Sequence, residues 1–96
     1  MSIAATPTLS PAEMEALRRR LPRYQVILLN DPDNDLRKVA EILTQEVSLP
    51  WQEAWRISRE AHTKGQATVV VCVKEWAERY YGRLTLRGLT CRIELA

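Results

Sequence analysis

One stretch near the start of the chain constrains the fold most. Tyr24-Gln25-Val26-Ile27-Leu28-Leu29 has strong strand propensity and an unbroken apolar centre, the pattern of a central or well-covered strand. It runs directly into Asn30-Asp31-Pro32-Asp33-Asn34-Asp35, a turn by composition. Pro32 restricts Asp31 to extended geometry. Asn34 is placed to cap the next helix, and Asp35 in its first turn favours the helix dipole. A covered strand needs neighbours and an apolar layer, and the remaining sequence has to supply them.

It does so in a simple order. Leu36, Val39, Ala40, Leu43 and Val47 recur at helical spacing and mark a first core helix. Pro50 suits the first turn of a second helix. In that helix Ala54, Ile57, Ala61 and Lys64 lie along one side, and Trp51, Trp55, Ser58 and His62 form the adjacent row. Gly65 is its C-cap. Thr68-Val69-Val70-Val71-Cys72-Val73 reads as a second strand, with the valine run in the core. Trp76, Ala77, Tyr80 and Leu84 suggest a third, rather short helix. Gly88 turns the chain into Leu89-Thr90-Cys91-Arg92-Ile93-Glu94-Leu95, whose alternation fits a strand with one buried face.

Residues 1–22 read as a flexible arm punctuated by Pro7, Pro11 and Pro22. Within it Ser10-Pro11-Ala12-Glu13 is a capping box with proline at the first helical position. Met14, Leu17 and Leu21 follow at helical spacing, so a short helix over 11–20 is expected. Residues 23–96 are then the folded domain.

Composition sets the outer bounds. A chain of 96 residues holds one domain with a modest core. A net charge of +2 is too small for a nucleic-acid binder that relies on a concentrated basic stripe. No apolar run spans a membrane and no signal peptide is recognisable at the start, so a cytoplasmic protein is expected. Cys72 and Cys91 lack metal-ligand spacing and read as reduced structural thiols.

The functional candidate is a strand end answered by a helix end. Asn30-Asp31 closes the first strand, and His62, the only histidine, sits near the end of the second helix in Ala61-His62-Thr63-Lys64-Gly65. A carbonyl, a carboxylate and an imidazole can surround one small cation. Taken singly, each has a plainer reading: Asn30 and Asp31 as turn residues, His62 as a surface histidine. Cys72 lies in an apolar strand that disfavours a thiolate. With no second histidine and no glycine-rich phosphate loop, no enzyme is expected, and no cofactor or metal. A second reading is a small RNA- or protein-binding domain that uses Arg18, Arg19, Arg20 and Arg23.

The strand Tyr24–Leu29 with Asn30-Asp31, the helix from Leu36, Ala61-His62-Thr63-Lys64-Gly65 and Cys91-Arg92-Ile93-Glu94 together resemble the ClpS family, in a divergent form of cyanobacterial type. The resemblance covers about residues 23–96. It implies an α+β fold: a three-stranded antiparallel sheet with three helices packed on one face, in the order β-α-α-β-α-β. It implies an adaptor that binds the first residue of substrate proteins and delivers them to a Clp AAA+ protease. Positions matching Asn30, Asp31 and His62 would bind the free α-amino group. Positions matching Leu28, Asn34, Leu36, Val39, Ser58, Ala61 and Leu89 would border the apolar pocket for the first side chain. Glu75 and Tyr80 match positions that dock the N-terminal domain of a ClpC- or ClpA-type unfoldase. Substrates beginning with Leu, Phe, Tyr or Trp are implied, and a monomer.

The departures from the family pattern are local. Pro32 stands where a second aspartate is common, and Leu36 where methionine is frequent. Ser58 and Ala61 are smaller than usual, which implies a wider or wetter pocket and a preference for Leu or Phe above Tyr and Trp. Tyr80 replaces a commonly basic residue. The segment from His62 to Cys91 is short, which implies a clipped third helix or following loop.

Overall fold

The computed structural model describes residues 8–96. Seven elements follow one another: α1 (Pro11–Arg20), β1 (Arg23–Leu29), α2 (Leu36–Val47), α3 (Trp51–Lys64), β2 (Gln66–Val73), α4 (Lys74–Leu86) and β3 (Cys91–Leu95). The strands form an antiparallel sheet in the order β2-β1-β3, so the apolar Tyr24–Leu29 segment is the central strand. The fold is thus α+β, with a three-stranded antiparallel sheet as expected and four helices rather than three. The added helix is α1, the short helix of the arm. It forms through the capping box: the Ser10 hydroxyl accepts from the Glu13 amide, and the Glu13 carboxylate accepts from the Ser10 amide, both at 3.2 Å. None of its residues is buried, so local capping rather than core packing holds it. The family-based expectation of three helices on one face needs refinement too. α3 and α4 lie on the strands, whereas α2 reaches the core chiefly through α3 and α4.

Val26 and Leu28 face that helical layer and meet Leu43, Ile57, Ala77 and Leu84 in one core. The opposite face of β1 is covered differently. Ile27 is 2% exposed yet lies outside that core. Its lateral partners are Thr68 and Arg92. A hydrogen-bonded polar set spans this outer face: Thr68 donates to Gln25, Gln25 to Glu94, and Arg92 to both Glu94 and Gln66. Ile27 sits between two members of this set, Thr68 and Arg92.

Three local expectations are corrected. The valine run is not all core: Val69 is buried, but Val71 is 44% exposed opposite Gln25 on the outer face. The pairing shifts between Val26↔Val70 and Ile27↔Thr68, leaving Val69 as an extra residue, a bulge that resets which valines point inward. The N-cap of α2 is Asp35, whose carboxylate accepts from the Arg37 amide at 2.8 Å, and not Asn34. The last helix is not short: α4 runs 13 residues, and the tight turn through Gly88 (φ +88°) follows it directly.

Candidate functional site

β1 carries its polar end to the C-terminus of α3 through the backbone. The Asn30 amide donates to the Gly65 carbonyl at 3.0 Å, and the Leu29 amide to the Thr90 carbonyl at 2.9 Å. Gly65 accepts this role at φ +90°, a conformation that side-chain-bearing residues avoid. The two bonds bring the strand end, the end of α3 and the loop before β3 to one place.

At that place lies a small pocket. Its walls include all ten residues expected to bind or border a ligand: Asn30, Asp31 and His62 at the polar end, with Leu28, Asn34, Leu36, Val39, Ser58, Ala61 and Leu89 around the rest. Sequence reasoning missed Leu29 and Thr90, which also line it. Leu29 adjoins Leu28 and Asn30, so its position in sequence was a usable signal. Thr90 carried none, because its place comes from pairing with a strand 61 positions earlier (90 − 29).

The pocket is narrow. It encloses about 20 Å³, room for about one water. The small Ser58 itself does not face open space. Ser58 is 2% exposed, and its hydroxyl donates to the Leu36 carbonyl at 2.8 Å. That bond draws the start of α2 against α3 and uses the one proton the hydroxyl can donate. Leu28, Val39, Ala61 and Leu89 are buried, so the inner wall is apolar.

The polar end is organised around Asp31. One carboxylate oxygen accepts from the Asp33 amide at 2.9 Å, and the other from the Asn34 side-chain amide at 3.0 Å. Asn34 also donates to the Gly88 carbonyl at 3.2 Å. Asn30 and His62 are exposed, and among the described residues neither side chain is engaged in a hydrogen bond. The site therefore offers one anchored anion and two uncommitted polar groups beside an apolar recess.

Cys72 and Cys91 are free thiols on opposite sides of β1. Burial pushes the Cys91 thiol up to about 11 and raises Cys72 as well, so the thiolate is disfavoured at both. Among the described residues no group of three or more His, Cys, Asp and Glu is placed to hold a metal. No described helix is long and apolar enough to cross a membrane.

Glu75 and Tyr80 lie away from the pocket, on α4. Glu75 pairs with Arg79 at 3.3 Å, and the Tyr80 ring lies 5.8 Å from that of Trp76. The Arg79 guanidinium sits 5.1 Å over Trp76, which is 45% exposed. Trp76 is thus a surface group of this helix. The arginine triplet of α1 is less available than its charge suggests, because Arg18 and Arg19 both approach Glu15.

Fold and site define a small α+β recognition domain: a sheet end and a helix end that converge on one recess. Comparison with known proteins gives the particular family. Residues 19–92 match the family described as the ATP-dependent Clp protease adaptor protein ClpS, and the chain belongs to it. It is 42% identical to the ATP-dependent Clp protease adapter protein ClpS of Synechococcus sp., over 93% of each protein. It is 40% identical to the ClpS of Synechococcus elongatus, over 94% of this chain and 96% of that one. The structure of Agrobacterium tumefaciens ClpS2 bound to L-phenylalaninamide superposes with a TM-score of 0.74 at 28% identity, covering 80% of this chain and 100% of that chain. Members of this family are adaptors and not enzymes.

Proposed function

We propose that the pocket between Asn30 and Leu89 is the seat for the first residue of a substrate protein, which this adaptor delivers to a Clp AAA+ protease. The observation that carries the reading is the convergence of Asn30, Asp31 and His62 on the polar end of one apolar recess, in a chain of the ClpS family. A solved relative bound to phenylalaninamide, a molecule with a free amino group and an apolar side chain, supports it.

The chemistry is that of an ammonium beside a hydrocarbon. An α-amino group has a pKa near 7.7–8.0 and is largely cationic at neutral pH. Asp31 supplies the opposite charge, Asn30 a carbonyl acceptor and His62 a ring nitrogen. Each charge-assisted hydrogen bond contributes about 1.5–3 kcal/mol. Burying a leucine or phenylalanine side chain adds about 1.5–3 kcal/mol. Either side chain needs more room than one water, so the pocket opens at its rim, where Leu36 begins α2. First residues Leu and Phe are preferred over Tyr and Trp.

The finer parts of the reading follow the family. Glu75 and Tyr80 dock the N-terminal domain of a ClpC- or ClpA-type unfoldase, and residues 1–22 form an arm that helps hand the substrate over. The protein acts as a cytoplasmic monomer, without nucleic acid or membrane.

Fluorescence anisotropy with peptides starting Leu, Phe, Tyr, Trp, Val and Met, beside acetylated copies, tests the seat. Free Leu and Phe peptides bind tightest and their acetylated copies at least tenfold more weakly. Equal binding of free and acetylated peptides refutes the reading.

A further inference from the structure

We propose that Asn34 is a positioning residue: its side-chain amide fixes the Asp31 carboxylate at the polar end of the pocket and ties it to the loop that carries the apolar wall. The inference rests on the reading of this pocket as a seat for a free amino terminus, and it goes beyond that reading by assigning a role to a group that need not touch the ligand's charge.

Three bonds carry it. The Asn34 amide donates to Asp31 Oδ2 at 3.0 Å and to the Gly88 carbonyl at 3.2 Å. The Asp31 carbonyl in turn accepts from the Asn34 backbone amide at 3.2 Å, so the two residues are locked together twice. With Asp33 donating to Oδ1, each carboxylate oxygen has one fixed donor and keeps lone pairs for a ligand. A carboxylate held by one donor alone can swing about its side-chain torsions; held by two, it presents its charge in one orientation. The bond to Gly88 reaches 54 residues along the chain, to the residue beside Leu89. One side chain thereby spans the charged corner and the hydrophobic wall.

The residue type suits the task. Joining an anion to a backbone carbonyl takes two donors on one neutral side chain. Aspartate has no donor when ionised and would repel Asp31; serine and threonine have a single hydroxyl proton. Asn34 is half-buried and lies outside every helix and strand, so replacing it leaves the core intact.

The test is a double-mutant cycle read by anisotropy with a Phe-initiated peptide, free and acetylated, on the full chain. Thermal unfolding of each variant verifies the fold. Asn34→Ala weakens the free peptide at least fivefold and the acetylated peptide less than twofold, so the free-to-acetylated ratio falls. Because Asn34 acts through Asp31, adding Asn34→Ala to Asp31→Ala changes that ratio less than twofold. If Asn34→Ala weakens both peptides equally, or if the two substitutions add, the positioning role is overturned. If the unmutated protein itself fails to distinguish free from acetylated peptide, the seat falls and the inference with it.

Discussion

Ser58 separates the shape of the pocket from the stability of the fold. Its buried hydroxyl makes one bond, to the Leu36 carbonyl at 2.8 Å. That carbonyl opens α2 and also serves the helical ladder, so removing the hydroxyl orphans no acceptor. Ser58→Ala therefore costs about 1 kcal/mol, the ordinary net value of one hydrogen bond, read from urea unfolding. Ser58→Val loses the same bond and also adds bulk beside the recess. The recess it borders encloses about 20 Å³, and the added methyl takes up part of that space, so urea unfolding shows a loss of at least the alanine value. A leucine or phenylalanine entering the filled recess then meets an overpacked wall, worth about 1–3 kcal/mol, or roughly 5- to 150-fold in affinity. Anisotropy with Leu-, Phe- and Gly-initiated peptides measures this, and the Gly peptide is unaffected because it sends no side chain inward. Ser58→Val binding Leu and Phe peptides within twofold of the unmutated protein refutes the placement of the first side chain against Ser58.

Three further outcomes follow from burial elsewhere. Cys91, with its thiol pushed up to about 11, reacts with iodoacetamide about tenfold faster for each pH unit between 8 and 10 in the folded protein, followed by peptide mass mapping. Its raised folded value means the neutral thiol favours folding: that contribution is complete below the unfolded value near 8.5 and is lost as pH climbs towards 11, so a flat stability profile there contradicts the burial. Ile27→Ala, beneath the polar set of the outer sheet face, destabilises by about 2–5 kcal/mol in urea despite lying outside the main core, and a loss below 1 kcal/mol means that face is open to water.

What was legible in the sequence and what was not divide along one physical line. β1 and the two core helices came from local rules: strand propensity in Tyr24–Leu29, helical spacing from Leu36, a glycine where α3 needs φ +90°; the residues around the pocket came from the family resemblance. The misreadings at Asn34, Ser58 and Val71 concern groups whose state is set by a partner elsewhere in the fold. Asn34 reads as the N-cap with Asp35 in the first turn, but its amide is committed to Asp31 and to Gly88, 54 residues away, and Asp35 takes the cap. Ser58 looked like room for a larger or wetter ligand, but its hydroxyl is spent on a carbonyl 22 residues earlier. Val71 looked like core until a bulge at Val69 turned it outward. Composition reports what a side chain is able to bond, whereas the fold decides which bond it makes. Asp31 shows the consequence for recognition. Pro32, beside it, has no amide proton to offer the carboxylate, so the anchoring donors come from Asp33 and Asn34. The Asp31 carboxylate is thus aimed by the two residues that follow the proline, and in the proposed seat specificity at this end depends on that turn as much as on the aspartate itself.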